Sequence, residues 1–273
     1  MIKKIINYYL NFYIRIFSNK FFHSFHHFVI HSSQRAIGYK NFGNLELTGE
    51  KKLLKIISKH KIKLSIDIGA NVGNFAKEIL LTTNSFVVAI EPMNESYKKL
   101  KKLEFHFNKR IVCFNIALSD KAEKKKIYFQ SPKSELASFN ENIKNLNYIN
   151  KKKIKYKIIN SITLDNFIKK NKNLFKIGVD FIKIDTEGHD HKILQGAEKT
   201  IKLFKPKFIQ FEMNWHYLFD GINIYYICSK FHEYNLFRVL PYESGLVKAD
   251  FQHPNDNIFH LSNFVLVRKD IKV

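Results

Sequence analysis

From Lys61 onward, apolar runs and helical spacings alternate along the chain. Ile62 to Ile68 is a short apolar run closed by Gly69, and after Gly73 the residues Phe75, Ile79 and Leu80 recur at helical spacing as far as Leu81. That pattern predicts a strand, a glycine turn and a helix. Phe86 to Ile90 predicts a second strand ended by Glu91-Pro92, and Asn94 is the expected cap of a Lys-rich helix reaching about Phe105. Ile111 to Phe114 makes a third strand. Between Lys121 and Asn160 the pattern loosens, with strands expected at Lys126 to Phe129 and Ile154 to Ile159 around a polar loop rich in Asn and Ser. Thr163 then opens a short helix, Asp180 to Asp185 is a fourth strand, Asp190 to Leu203 a helix, and Phe208 to Glu212 a fifth strand. A helix over Ile222 to Phe231 and strands at Leu236 to Leu240 and Phe264 to Val267 complete the sheet with an antiparallel pair. Strands alternating with helices define an α/β, doubly wound, mostly parallel sheet, expected in the order 3-2-1-4-5. We expect this main domain to span residues 51–273, with residues 1–50 as a helical, aromatic extension.

The extension has its own character. Ile5, Tyr9, Phe12, Ile16, Phe21 and Phe28 are among its many apolar residues, yet Arg15 and Lys20 interrupt them. A membrane span needs about 20 nearly uncharged apolar residues, so a transmembrane helix is not expected. No small-residue cleavage site follows the apolar part, so neither is a secretory signal, and a cytoplasmic location is expected. Two readings of residues 1–30 stay open: peripheral contact with an anionic inner leaflet, or packing on the following domain or a partner subunit.

Composition adds constraints. The chain carries 46 Lys+Arg against 24 Asp+Glu, a formal charge of +22, with 45% hydrophobic and 15% aromatic residues. That apolar content excludes wholesale disorder. The charge invites a nucleic-acid reading, because clustered cations release counterions from phosphate backbones. Here the lysines are dispersed, and the densest run, Lys151 to Lys157, is expected to lack the interleaved exposed aromatics of a base-stacking platform and reads as a solvated edge or loop. A nucleic-acid partner is therefore not expected. Cys113 and Cys228 are too few and too far apart for a disulfide framework and lie in apolar runs that read as core, with a reducing compartment as the default.

The first candidate chemistry is the turn Asp67-Ile68-Gly69-Ala70-Asn71-Val72-Gly73, of the form D-x-G-x-x-x-G. Glycines there let the backbone approach a ligand, and Asn71 tolerates a left-handed conformation. The spacing differs from the G-x-G-x-x-G of dinucleotide sites, and Asp67 would repel a diphosphate. Asp67 would instead favour the ammonium of an amino-acid moiety, which points to S-adenosylmethionine. Glu91, at the tip of the second strand, is placed to accept ribose hydroxyls.

These residues also carry a resemblance. Ser65 to Gly73, Glu91-Pro92, Asn115 to Asp120, Thr163-Leu164-Asp165 and Asp180 to Asp190, with its I-K-I-D-x-E-G-H core, resemble in order the FkbM-type methyltransferases. The resemblance covers Leu64 to about Asn214, with Thr186 where the family often has Val and Asp190 where it often has Glu. It implies a class I, Rossmann-like methyltransferase fold, S-adenosylmethionine as cofactor, and O-methylation, commonly of sugar or natural-product hydroxyls. Carried onto this chain, it implies that Asp67, Gly69, Asn71 and Gly73 hold the methionine end, Glu91 the ribose, and Asn115 with its neighbours the adenine side. The acceptor is expected to be a small molecule or a glycan.

In the expected sheet order Asp67, Asp185 and Glu212 converge at the carboxyl edge, with Lys183 on the same face. Methyl transfer needs an aligned acceptor oxygen and a base for its proton. Asp185 and Glu187 are the candidates to orient and deprotonate the hydroxyl, with His189 as an alternative base. Asp185, Glu187, His189 and His191 are also metal-ligand types, but residues two apart need not share a centre, and no metal is assigned. Trp215 is assigned no role, although Asn214-Trp215-His216-Tyr217 directly follows the fifth strand, in a position to line the acceptor pocket, where an aromatic face suits a sugar ring. The rival readings are an RNA methyltransferase and a cofactor-binding scaffold docked to a membrane or a glycan-assembly partner.

Overall fold

The structure, a computed structural model, describes residues 2–130, 137–141 and 153–273. Its centre is an eight-stranded sheet. The strands β1 (Leu64–Ile68), β2 (Phe86–Ile90) and β3 (Ile111–Phe114) come first in the chain, followed by the short β4 (Ala117–Leu118) and then β5 (Glu123–Phe129) and β6 (Lys155–Ile162). After these come β7 (Phe181–Ile184), β8 (Phe208–Met213), β9 (Tyr234–Val239), β10 (Leu246–Lys248) and β11 (Ser262–Arg268). In space the large sheet runs β10-β9-β11-β8-β7-β1-β2-β3. Pairing is parallel from β3 through β8, and β11 lies antiparallel between β8 and β9. The five parallel strands thus take the expected 3-2-1-4-5 order.

Alternation along the strands sends side chains to two apolar layers. Ile66, Ile68, Ile182, Ile184, Ile209 and Phe211 face one cluster, with Phe167 of α7 (Leu164–Lys170) and Leu194 of α8 (Asp190–Gln195). Val87, Ala89, Phe181 and Phe208 face the other, against Leu53 and Leu54 of α3 (Glu50–Ser58) and Phe75 and Ile79 of α4 (Asn74–Thr82). Both faces of the parallel strands are therefore buried, which is why they read as continuous apolar runs. Cys113 and Cys228 are buried and unpaired.

Several local expectations are corrected. The helix expected from Asp190 to Leu203 is two helices, α8 and α9 (Glu198–Phe204), broken at Gly196. A Cβ there would lie 2.2 Å from the Ser119 carbonyl oxygen, so the break lets two backbones touch. The helix after β2 is also divided, into α5 (Asn94–Leu100) and α6 (Leu103–His106), and Met93, not Asn94, occupies its N-cap. Met93 brings no capping side chain, and its own N–H is satisfied by Glu91 Oε1 at 2.7 Å. Thr163, in contrast, caps α7 through the Asn166 N–H. Strands β5 and β6 pair antiparallel and join β4 in a separate three-stranded sheet, and the short β4 and β10 had no clear sequence signal. The polar loop expected between β5 and β6 lies mostly outside the described residues, as do Lys151 and Lys152. Lys155 and Lys157 sit exposed on β6.

The chain begins with α1 (Ile2–Phe17) and α2 (His23–Ala36), neither of which contains a buried residue. The main body starts at Gly38 and Tyr39, and Asn41, Thr48 and Glu50 are buried in it.

Candidate active site

The carboxyl ends of the parallel strands open onto a cavity of about 520 Å³. Its wall includes Gly69, Ala70 and Asn71 from the turn after β1, Glu91 after β2, Ile116 and Leu118 near β4, and Lys183, Asp185, Thr186 and Glu187 at β7. Glu212, Asn214, Trp215 and His216 close it beyond β8, and Asn41, Thr48, Glu50 and Asn263 complete the far side.

The turn after β1 is built by the backbone. Gly69 has φ +80°, and a Cβ on it would sit 1.8 Å from the Asp185 carbonyl oxygen. Its missing side chain thus admits the neighbouring strand tip, a reason added to the one first given for this glycine, which also lines the cavity. Gly73 caps α4 at φ +93°, and its Cβ would collide with Leu103 and Leu100, so it serves helix packing and does not line the cavity. Asn71 adopts the left-handed conformation expected of it, at φ 49°. Its N–H donates to Glu91 Oε2 at 2.8 Å. Glu91 therefore accepts one backbone N–H on each carboxylate oxygen, and burial pushes its pKa up to about 7 despite those two bonds.

Asp67 is wholly buried and does not line the cavity. It is register partner to Lys183 across the β1–β7 pair, and Lys183 is partner to Gln210 across β7–β8, so three polar side chains form a row on the face covered by α3 and α4. Lys183 Nζ lies 3.8 Å from Asp67 Oδ1 and 3.0 Å from Asp185 Oδ2, and 4.8 Å from the centre of the Phe75 ring. Gln210 Nε2 donates to Glu50 Oε1 at 2.6 Å and to Asn263 Oδ1 at 3.2 Å. Burial raises the Asp67 carboxyl to about 6, with Lys183 opposing and Asp185 and Glu50 adding to the rise. Burial also acts on Lys183 against its charge, but the surrounding carboxylates, Asp185 first, outweigh it and hold the ammonium firmly protonated. Asp67, expected to favour an ammonium directly or through water, is buried beside Lys183 and off the cavity wall, and has no direct contact with the cavity.

The loop after β7 is pinned from below. Asp190 Oδ1 accepts the Thr186 N–H and hydroxyl, and Oδ2 accepts the Glu212 N–H at 2.9 Å, tying the loop to β8. This holds Asp185 and Glu187 at the cavity wall, with Glu187 in the left-handed region at φ 54°. Ser138 donates to the Glu187 carbonyl at 2.6 Å, laying Ala137 and Phe139 along the same wall. Behind them Glu212 accepts from Asn214 Nδ2 at 2.8 Å. Burial and the charges of Asp185 and Glu187 push its pKa well up from the usual carboxylate range. The expected convergence of Asp185 and Glu212 is present, with Asp67 joined to it through Lys183.

Two expected site residues fall elsewhere. His189 is buried against Ser119 Oγ at 3.0 Å and the Phe139 ring, and it lines a different cleft with Lys125, His191 and Asp220. Burial and then the Lys125 charge push its pKa well down, leaving it a neutral ring outside the main cavity. Asn115 donates to the Glu91 and Pro92 carbonyls at 2.8 and 3.1 Å and lines a neighbouring pocket, while its neighbour Ile116 lines the main one. Among the described residues no group of three or more His, Cys, Asp or Glu is arranged to hold a metal ion. Glu50 and Asn263 went unnoticed in the sequence. Asn263 left a faint signal as a polar residue beside an apolar strand, and Glu50 left none, since its partner Gln210 is 160 positions away.

The strand order, with its antiparallel strand between β8 and β9, and a glycine turn beside an acidic strand tip are those of the class I methyltransferase fold. Residues 67–238 match the model of the methyltransferase FkbM domain, and the chain belongs to the FkbM methyltransferase family. It is a methyltransferase whose cofactor is S-adenosylmethionine. Among solved structures, methyltransferase FkbM from Methylobacillus flagellatus KT aligns at a TM-score of 0.45 and 16% identity, over 76% of this chain and 44% of that one. This chain thus spans less than half of that protein's length. An O-methyltransferase from Bacillus cereus in complex with SAH aligns at 0.44 and 11% identity, over 94% and 96% of the two chains. Aeropyrum pernix fibrillarin with natively bound S-adenosyl-L-methionine aligns at 0.41 and 9%, over 80% and 73%. No curated protein matches the chain.

The cavity fits the cofactor. Its volume lies within the roughly 300–1,000 Å³ usual for small-molecule sites. An ionised carboxylate has about four lone-pair directions, so Glu91 can accept ribose hydroxyls beyond its two backbone bonds. Ile90, Met93, Ile116 and Leu118 offer apolar walls suited to a flat base.

Proposed function

We propose that this methyltransferase transfers its methyl group to a hydroxyl oxygen, and that the acceptor is a sugar in a surface glycan or its precursor. The observation that supports the reading is the make-up of the cavity beyond the glycine turn, which is lined by Asp185 and Glu187 and also by Trp215, Asn214 and Asn263. Carboxylates and amides suit hydroxyl groups, and an aromatic face suits the apolar face of a sugar ring.

S-adenosylmethionine supplies an electrophilic methyl group carried on a sulfonium. The chain must then align an acceptor oxygen and take its proton as the bond to carbon forms. Asp185 is the base in this reading, and Lys183 is a positioning residue whose ammonium orients the Asp185 carboxylate from below. Glu187 orients the acceptor. Glu212, whose pKa burial raises, adds a hydrogen-bonding group to the cavity wall. The activity is placed in the cytoplasm, where buried unpaired Cys113 and Cys228 suit a reducing compartment.

Asp185→Asn tests the assignment. Binding of S-adenosylhomocysteine, read by calorimetry, should stay within a few-fold of the parent, while methyl transfer to the accepted sugar falls by about 10²-fold or more. Turnover near the parent value would remove Asp185 from the role.

A further inference from the structure

The helices α1 and α2 present an apolar surface that the rest of the protein does not cover. In α1, Ile2, Ile5, Tyr9, Phe12 and Ile16 recur at spacings of three and four and share one face, while Lys4, Asn7, Asn11 and Arg15 share the opposite one. Tyr8 is 77% exposed, Phe12 56% and, in the second half of the hairpin, Phe21 86% and Phe28 68%. The helices are joined by the Tyr13 hydroxyl and His26 Nδ1 at 3.3 Å and by the Phe17 and Phe22 rings at 4.9 Å, so the hairpin has a defined shape. Isolated exposed apolar residues are ordinary, but a contiguous apolar face on two helices marks a binding surface.

We propose that this hairpin is a peripheral dock for an anionic lipid bilayer, with its apolar face set into the interface and its cations toward the headgroups. Charge selects this occupant. Lys3, Lys4, Arg15, Lys20, Arg35 and Lys40 are met by no acid before Glu46. A second copy of the chain would bring the same cationic hairpin, on a molecule of formal charge +22, so self-association by this face is opposed. Tyrosines, rich along α1, combine an apolar body with a polar tip, the combination enriched at membrane interfaces. Among the described residues no helix is long and apolar enough to cross a membrane, so the hairpin lies in the interface.

The dock is fastened to the catalytic body. Arg238 Nε donates to the Ile37 carbonyl, and its Nη1 to the Tyr39 hydroxyl and Asp256. The next residues, Asn41 and Phe42, line the cavity. A docked hairpin therefore brings one wall of the active site with it.

Cosedimentation of the 273-residue chain with vesicles tests the proposal. Phosphatidylcholine vesicles containing phosphatidylglycerol should bind it at least tenfold better than phosphatidylcholine alone, and added salt should reverse the difference. Each surface cation contributes about 1 kcal/mol, so Lys3→Ala with Lys4→Ala should weaken binding about 30-fold. Phe12→Ser should weaken it while leaving S-adenosylhomocysteine affinity unchanged, which shows the variant is folded. Equal binding to both vesicles, no binding to either, or self-association that Phe12→Ser abolishes without lipid binding would overturn the proposal.

Discussion

Replacing Lys183 by Met removes an ammonium that lies among the carboxyls of Asp67, Asp185 and Glu50 while keeping a side chain of similar length over Phe75. The separations of 3.0 Å to Asp185 and 3.8 Å to Asp67 correspond to roughly 5.5 and 4.4 kcal/mol of attraction at an effective dielectric of about 20. Asp185 has 35% of its side chain exposed, so water screens its share and Asp67 carries most of the consequence. Several kcal/mol are regained because a buried ammonium no longer has to be desolvated, and breaking a buried pair leaves a net loss of about 3–5 kcal/mol. We expect that loss at pH 8.

The pH dependence follows from the direction of the Asp67 shift. Its carboxyl titrates at about 6 in the folded protein against 3.8 as the reference value. Charge on it is thus a burden to the folded state above pH 6, and that burden fades as pH falls toward 3.8. Without Lys183 the folded value rises further, so the deficit of Lys183→Met should be largest at pH 8 and shrink toward pH 5. Adding Asp67→Asn removes the orphaned charge and should restore roughly half of the loss. Urea unfolding, followed by the fluorescence of the single tryptophan, Trp215, at both pH values measures each term. A deficit below about 1 kcal/mol, or one equal at pH 5 and pH 8, would refute the view that Lys183 neutralises a buried carboxylate.

Gly69→Ala should cost more than about 3 kcal/mol in unfolding experiments, because φ +80° and the Asp185 carbonyl both oppose a Cβ. A variant of parent stability that had lost only cofactor binding would return Gly69 to a ligand-contact role. If Glu91 accepts ribose hydroxyls as an anion, its pKa of about 7 makes S-adenosylhomocysteine affinity about tenfold weaker at pH 6 than at pH 8. Calorimetry on Glu91→Gln should then show no such dependence, and an unchanged slope would move the titration to another group.

The parallel strands and their order were legible because each is a short apolar run, closed in β1, β2 and β7 by Gly69, Glu91 and Asp185, a local pattern imposed by burial on both faces of the sheet. Asn71, Glu91, Asp185 and Glu187 were legible for a related reason: strand tips place them at the one edge where such sheets bind ligands. Tertiary contacts decided the rest. Asp67 and Gly69 look like ligand contacts in the sequence, yet one is held by Lys183 across a strand pair and the other makes room for a neighbouring backbone. His189 follows Asp185 closely in the chain, but the left-handed turn at Glu187 and Gly188 sends it to a different cleft. Glu50 joins the site through Gln210, a partner no local pattern could reveal. Local sequence sets which way a strand or turn runs, since that depends on neighbouring dihedrals and side-chain period. Which charges end up paired, and which groups a cavity exposes, depends on segments brought together by folding from opposite ends of the chain.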